Sequence, residues 1–186
     1  RIPEVLVVDE ELSVVTYQLF SENPIGSFQR NEATDSLANL SGGITSADGM
    51  LFPSEDWGIE QLGVPSTGGI HLDSITCEIV QGLNPLSEGA NILSDLLNRG
   101  LVIRPGFKYG TTWRCYDKPL GEDHAPFLVV LPEDAPRDWA GACLASRLAS
   151  GVNKIWLQPV GQGNSWNYLA ITRPPPDSRW SNPNKR

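Results

Sequence analysis

No run of 18 apolar residues occurs anywhere in this chain, which excludes a membrane-spanning helix by the length a bilayer demands. The opening segment RIPEVLVVDEE lacks the apolar stretch of a secretory signal, and it lacks an initiating methionine, so a trimmed or processed start is expected. A soluble cytoplasmic protein is the expectation. Cysteine is scarce: Cys77, Cys115 and Cys143 are odd in number and widely spaced, with neither a CxxC pair nor the Cys–His spacing of a zinc site. They read as small buried thiols in a reducing compartment. Histidine occurs twice, and His71 has no companion histidine nearby. The acidic pairs Glu10-Glu11 and Glu133-Asp134 fall in turn-like segments. Neither a metal nor a cofactor is expected.

Positive charge is nearly missing from the first hundred residues. They hold 3 Arg or Lys against 15 Asp or Glu, a net of −12, within a chain whose formal charge is −8. That half is the wrong sign to meet a polyanion. Residues 101 to 186 hold 11 against 7, a net of +4, so the cationic surface is confined to the second half. This asymmetry is a domain argument. The segment NPLSEGA, with its Pro, Gly and Ser between two apolar stretches, suggests the join. The division expected is an acidic α+β domain over 1–84, a second domain over 85–174, and a polar, Pro-rich tail over 175–186.

What is present is most readable in the second half. Ile92, Leu93, Leu96 and Leu97 form a helical stripe ended by Gly100. Leu101–Ile103 and Thr111–Tyr116 alternate as strands, and Phe127–Leu131 is a continuous apolar run suited to a central strand. Asp138–Ser150 reads as a helix turning Trp139, Leu144 and Leu148 inward, and Lys154–Val160 and Asn167–Thr172 read as two last strands around the turn GQGNS. The first half shows a strand pair, Val5–Val8 and Leu12–Tyr17, and a helix over His71–Leu83, with little periodicity over Ser21–Gly49. The class expected is α/β, with a central mixed sheet flanked by helices in the second half.

Three side chains in the cationic half form a chemically useful set: Tyr116 in TTWRCYDKP, His124 in GEDHAPF and Lys154 in SRLASGVNKIW. Phenol, imidazole and ammonium are the groups that metal-free cleavage of RNA through its own 2′-hydroxyl needs. One takes the 2′-OH proton, one gives a proton to the departing 5′-oxygen, and one holds the charge building on the phosphorane. Each residue also has a plainer reading. Tyr116 fits a half-buried packing tyrosine, His124 a solvated histidine after a turn, and Lys154 a lysine guarding a strand.

The words around the trio decide between these readings. RGLVIRPGFKYGTTWRCYDKPLGEDHAPFLVV, SRLASGVNKIWLQPV and WNYLAITRP resemble, over Arg99 to Pro174, the catalytic domain of archaeal tRNA-splicing endonucleases. That family's pattern runs RG with a hydrophobic pair, G-F-K-F/Y-G, F/W-R-x-Y, D-H-x-P and R-L-A-x-x-V-x-K. The resemblance implies a restriction-endonuclease-like catalytic domain, with Tyr116 as general base, His124 as general acid and Lys154 as stabiliser of the transition state. It places Arg147, and Arg173 as the candidate for a second arginine, on the positions that clamp a bulged base. Arginine suits that task because its planar guanidinium stacks on a base face. A tyrosine base with an ordinary pKa near 10 needs cationic neighbours. Lys154, with Arg114 or Arg147, is placed in sequence to supply them.

The resemblance also bears on assembly. Relatives that assemble from one kind of chain carry an acidic loop between the last two strands, whereas Gly161–Ser165 here has no acidic residue. The arrangement implied is a catalytic chain paired with a paralogous structural subunit that supplies the acidic loop, as an α2β2 heterotetramer acting on precursor tRNA with a bulge-helix-bulge. Competing readings are a non-catalytic structural subunit of the same complex, which would be expected to have lost one of the trio, a nuclease for another RNA, and a plain RNA-binding module.

Overall fold

A computed structural model describes residues 2–8, 10–12, 14–162 and 165–173. In chain order the elements are β1 (Glu4–Val8), β2 (Val14–Glu22), α1 (Glu32–Ala38), β3 (Ile44–Ser46), β4 (Gly49–Phe52), β5 (Val64–Ser66), β6 (Gly69–Asp73), α2 (Ser74–Val80) and α3 (Glu88–Asn98). There follow β7 (Val102–Pro105), a 3₁₀ turn at Phe107–Tyr109, β8 (Trp113–Tyr116), β9 (Phe127–Val129), α4 (Trp139–Ser150), β10 (Ile155–Gln162) and β11 (Ser165–Thr172).

Seven strands form one mixed sheet in the order β1-β2-β11-β10-β9-β8-β7, and β3-β4-β6-β5 form a smaller antiparallel one. In the large sheet only β9 and β10 run parallel, Leu128 opposite Trp156, and α4 makes the crossover between them. The alternation of the central strands divides two cores. Ile103, Cys115, Val129, Leu157 and Ala170 face one side with α3, while Leu128, Trp156 and Ile171 face the other with α4. A sheet covered by helices on both faces is the mixed α/β architecture that the element pattern predicts.

α3 is built as its sequence dictates. Ser87 caps it by accepting the Ala90 N–H at 3.2 Å, and Ile92, Leu93, Leu96 and Leu97 are buried. It ends in a Schellman motif: Gly100, at φ +80, donates to Leu97 O at 2.9 Å, and Leu101 donates to Leu96 O at 3.3 Å. The strand-exit segment packs backbone to backbone on this end. A Cβ on Gly26 would lie 2.0 Å from the Gly100 carbonyl oxygen, so only glycine fits there.

α4 corrects the sequence reading. Trp139, Leu144 and Leu148, expected inward, are 53%, 47% and 63% exposed. The face on the sheet is the small one, Ala142, Cys143, Ser146 and Ala149, and the Ser146 hydroxyl donates to Ile171 O. Small residues let the helix lie close to β10 and β11, which the larger side chains would prevent.

The first half also departs from expectation. His71 lies in β6, opposite Leu51 of β4, and not in a helix. The helix starts only after Asp73, whose carboxylate accepts from the Thr76 N–H at 2.8 Å and hydroxyl at 2.7 Å. The stretch 21–49, without clear periodicity, contains α1 and β3. Strands β1 and β2 join the large sheet through β2 and β11, Phe20 opposite Ala170. One core runs from Leu37, Phe52 and Leu72 to Ile103 and Leu157, across the join suggested at residue 84. The tail 175–186 lies outside the described residues.

Candidate active site

The site grows from the end of β8. Period-two alternation sends Trp113 and Cys115 into the α3 core, so Arg114 and Tyr116 stand on the opposite face. Arg114 carries its guanidinium over the Tyr116 ring, 5.8 Å from the centroid. Tyr116 itself is half-buried and pairs in register with Val102 of β7.

The chain then turns through an exposed loop to His124. Two contacts shape that loop: the Lys118 amine donates to Asp123 Oδ2 at 2.9 Å, and the His124 N–H donates to Asp123 Oδ1 at 2.8 Å. The Lys118 hydrogen bond, seconded by the His124 N–H, holds the Asp123 carboxyl below its ordinary value. The same partner raises the Lys118 amine above its own. The His124 imidazole is exposed and makes no hydrogen bond among the described residues.

Lys154 arrives from the far side of the fold, after α4 and just before β10. It is 9% exposed; its amine donates to Ala125 O at 2.5 Å and stands 5.4 Å from the Tyr109 ring centroid. The neighbouring Ile155 N–H donates to Pro126 O at 2.8 Å. These two bonds strap the His124 loop to the start of β10.

A cleft of about 820 Å³ opens here, lined among others by Tyr116, His124, Arg104, Arg114, Phe107 and Lys108. The structure therefore brings Tyr116, His124 and Arg114 to one cavity, with the Lys154 amine on the residue after His124. It does not bring Arg147 or Arg173 onto that wall. Arg147 is exposed on the last turn of α4, and Arg173 follows β11 with its Nε buried and unpartnered among the described residues. In the GQGNS turn, Gln162 pairs with Ser165, and the two residues between lie outside the described ones.

Sequence reasoning missed Arg104, Phe107 and Lys108 as parts of this wall. The signal for Phe107 and Lys108 was the word GFKYG, recognised but given no role. Phe107 is 75% exposed. Arg104 becomes visible only through its register with Arg114. Among the described residues no group of three or more His, Cys, Asp or Glu is placed to hold a metal ion. Chemically, the cleft offers a phenol, an imidazole and the cations Arg104, Lys108 and Arg114, with the carboxylates of Glu122 and Asp123 also on its wall.

Comparison with known proteins falls on the same part of the chain. Residues 89–168 match the family model described as tRNA intron endonuclease, catalytic C-terminal domain. A tRNA-splicing endonuclease of Thermoplasma volcanium is 31% identical over 102 residues, covering 55% of this chain and 34% of the relative. One of Picrophilus torridus is 29% identical over 170 residues, covering 90% and 55%, and one of Methanosarcina mazei is 27% identical over 199, covering 90% and 56%. The chain thus spans from about a third to just over half the length of these curated relatives. The matched segment contains β7 to β10, with Tyr116, His124 and Lys154 inside it. Over residues 89–168 the chain is thus similar to the catalytic domain of tRNA intron endonucleases, and the relatives it resembles are archaeal tRNA-splicing endonucleases.

Proposed function

We propose that this chain is the catalytic subunit of an endonuclease that cuts precursor tRNA at bulge-helix-bulge junctions without a metal ion. One observation carries the reading: Tyr116 and His124 share a cleft, and the Lys154 amine is anchored beside His124, all within the segment matched by the family.

The steps follow from these groups. The Tyr116 oxygen takes the proton from the 2′-hydroxyl, and the 2′-oxygen attacks the adjacent phosphorus. As that bond forms, the P–O5′ bond breaks, and the His124 imidazolium gives its proton to the leaving 5′-oxygen. The products are a 2′,3′-cyclic phosphate and a 5′-hydroxyl. An ammonium has three N–H donors. Lys154 spends one on Ala125 O and keeps others for the charge on the phosphorane oxygens. Arg114, with its guanidinium over the Tyr116 ring, puts positive charge beside the base and contacts the substrate. Arg147 and Arg173, off the cleft wall, act as clamps for bulged bases, where stacking and phosphate contacts are the means of recognition.

The partner in this reading is a paralogous structural chain whose acidic loop completes an α2β2 assembly. The test is cleavage of a bulge-helix-bulge precursor in EDTA, by the chain alone and with a candidate partner. Cleavage that needs the partner and gives a cyclic phosphate supports the proposal. Full activity of the single chain removes the partner, and loss of activity in EDTA removes the metal-free route.

A further inference from the structure

Arg104 on β7 and Arg114 on β8 face each other directly across an antiparallel pair. Both line the cleft that holds Tyr116 and His124. Like charges at opposed positions of a sheet repel, and the arrangement is destabilising unless something compensates it. No carboxylate pairs with them: among the described residues neither arginine forms an ion pair, although Glu60 acts on Arg104 at longer range and Glu122 and Asp123 also line the cleft.

Each guanidinium is instead left available. Arg104 is oriented by main-chain carbonyls, with Nη1 donating to Ile103 O at 2.7 Å and Gln61 O at 3.2 Å, and Nη2 to Glu60 O at 3.1 Å. These bonds set the plane of the fork and leave its charge unneutralised. Burial, and Arg114 in the same direction, lower the Arg104 pKa from its ordinary value, against opposing contributions from Tyr116 and Glu60. Arg114 makes no side-chain hydrogen bond among the described residues, and its Nε is buried without a partner. A buried donor with no acceptor costs free energy that a bound acceptor would recover.

The geometry points to an anion site: we propose that Arg104 and Arg114 together hold one phosphodiester group of the RNA, next to the scissile one. Guanidinium forks match phosphate oxygens in bidentate fashion, which an ammonium cannot do. Positions two apart on one face of a strand are about 6.6 Å apart, so a phosphate on Arg114 is a neighbour of the one reached from Tyr116. The bound phosphate also relieves the repulsion between the arginines and fixes Arg114 over the Tyr116 ring. This subsite rests on the proposed RNA-cleaving function, but its binding chemistry is measurable apart from cleavage.

The test uses a bulge-helix-bulge RNA with a 2′-deoxy substitution at the cut position, bound to wild type, Arg104→Gln, Arg114→Gln and the double variant over a range of salt. Neutralising one phosphate contributes a slope of about 0.7 to 0.9 in log affinity against log salt. Each single variant loses little of it, because the remaining arginine still neutralises the shared phosphate, and the double variant loses about that much. A double variant with an unchanged slope, or single variants that each lose the full amount, overturns the shared site. Arg104→Lys keeps the slope and weakens binding several-fold, which separates the role of the fork from that of the charge; wild-type affinity in Arg104→Lys counts against it.

A second readout needs neither RNA nor turnover. In the wild-type chain the Arg114 Nε–H nuclear magnetic resonance signal shifts on adding inorganic phosphate but not chloride at equal ionic strength, and the shift is lost in Arg104→Gln. A signal indifferent to phosphate overturns the subsite even in a chain that cuts RNA. A responsive signal in a chain that cuts no bulged RNA upholds the subsite while the proposed function fails.

Discussion

The amine of Lys154 donates to the carbonyl oxygen of Ala125 at 2.5 Å, so the residue before β10 holds the residue after His124. One side chain thus has a structural bond and a proposed electrostatic task. Lys154→Met, which keeps the apolar stem, separates the two. Leaving the buried Ala125 carbonyl unpaired costs about 1 to 3 kcal/mol of stability. Cleavage under single turnover should fall further, by on the order of 10² to 10³, the scale for losing one preorganised donor to a developing oxyanion. Urea denaturation and single-turnover kinetics measure the two effects. A variant as stable as wild type contradicts the anchoring role, and one that cleaves normally contradicts the electrostatic one.

His124 is the contrasting case. Its imidazole is exposed and unbonded among the described residues, so His124→Ala should change the unfolding free energy by no more than is usual for surface changes, about ±0.5 kcal/mol. Removing the general acid should nevertheless cost on the order of 10² to 10⁴ in rate with RNA affinity little changed. Cleavage of a substrate with a good leaving group in place of the 5′-oxygen should be far less affected. A wild-type rate on the normal substrate rules out the assigned role.

The Lys118–Asp123 clasp gives the His124 loop a pH window. Asp123 is held below its ordinary 3.8, chiefly by the Lys118 hydrogen bond, and Lys118 is raised above its ordinary 10.5 by the same contact. The sign is opposite for the two partners. A depressed carboxylate contributes order that is present above 3.8 and lost as pH falls through its lower folded value; a raised amine contributes order present below 10.5 and lost as pH rises through its higher one. The loop should therefore stay clasped throughout the neutral range. A carboxyl-carbon titration of Asp123 with its midpoint at or above 3.8 would show that the bond does not form in solution. Asp123→Asn should return Lys118 toward 10.5.

What the sequence disclosed depended on range. The α3 stripe and its Gly100 end are local signals, and the structure repeats them, with Ser87 as a cap that the sequence reading does not name. Tyr116, His124 and Lys154 could be singled out because each sits in a recognisable word, and the structure puts Tyr116 and His124 on one cleft with the Lys154 amine on Ala125 O. The inward face of α4 was not, because apolarity alone ranks Trp139 and Leu148 above Ala142 and Ser146, whereas close packing on β10 and β11 favours the small residues. The pairing of β2 with β11, and of Arg104 with Arg114, depends on register between segments distant in sequence, which composition and periodicity do not encode. The β6 strand was absorbed into a helix because His71–Leu83 is apolar at mixed spacing, and the Asp73 cap that marks the true start was overlooked.

Beneath the seven-stranded sheet a polar network ties its first and second halves together, and it should govern stability with no part in the proposed chemistry. Asp95 Oδ2 accepts from the Tyr168 hydroxyl at 2.7 Å and from Arg99 Nε at 2.6 Å. The Arg99 guanidinium also donates to Trp166 O at 2.9 Å and Asn23 Oδ1 at 2.7 Å, and stands 4.8 Å from the Tyr168 ring centroid. Burial, with the Asp95 charge next, drives the Tyr168 pKa upward, so it remains a neutral donor. Tyr168→Phe removes one hydrogen bond and leaves Asp95 with Arg99, at a cost of about 1 to 2 kcal/mol. Arg99→Ala leaves a partly buried carboxylate without its cation and the Trp166 carbonyl without its donor, and should cost more, approaching about 3 kcal/mol. Because Asp95, Arg99 and Tyr168 lie on the α3 side, away from the Tyr116 cleft, the rate per folded molecule should be unchanged in Tyr168→Phe. Denaturant midpoints and single-turnover rates measure both effects. A rate loss in Tyr168→Phe exceeding its loss of folded protein would mean that the network also positions the active site.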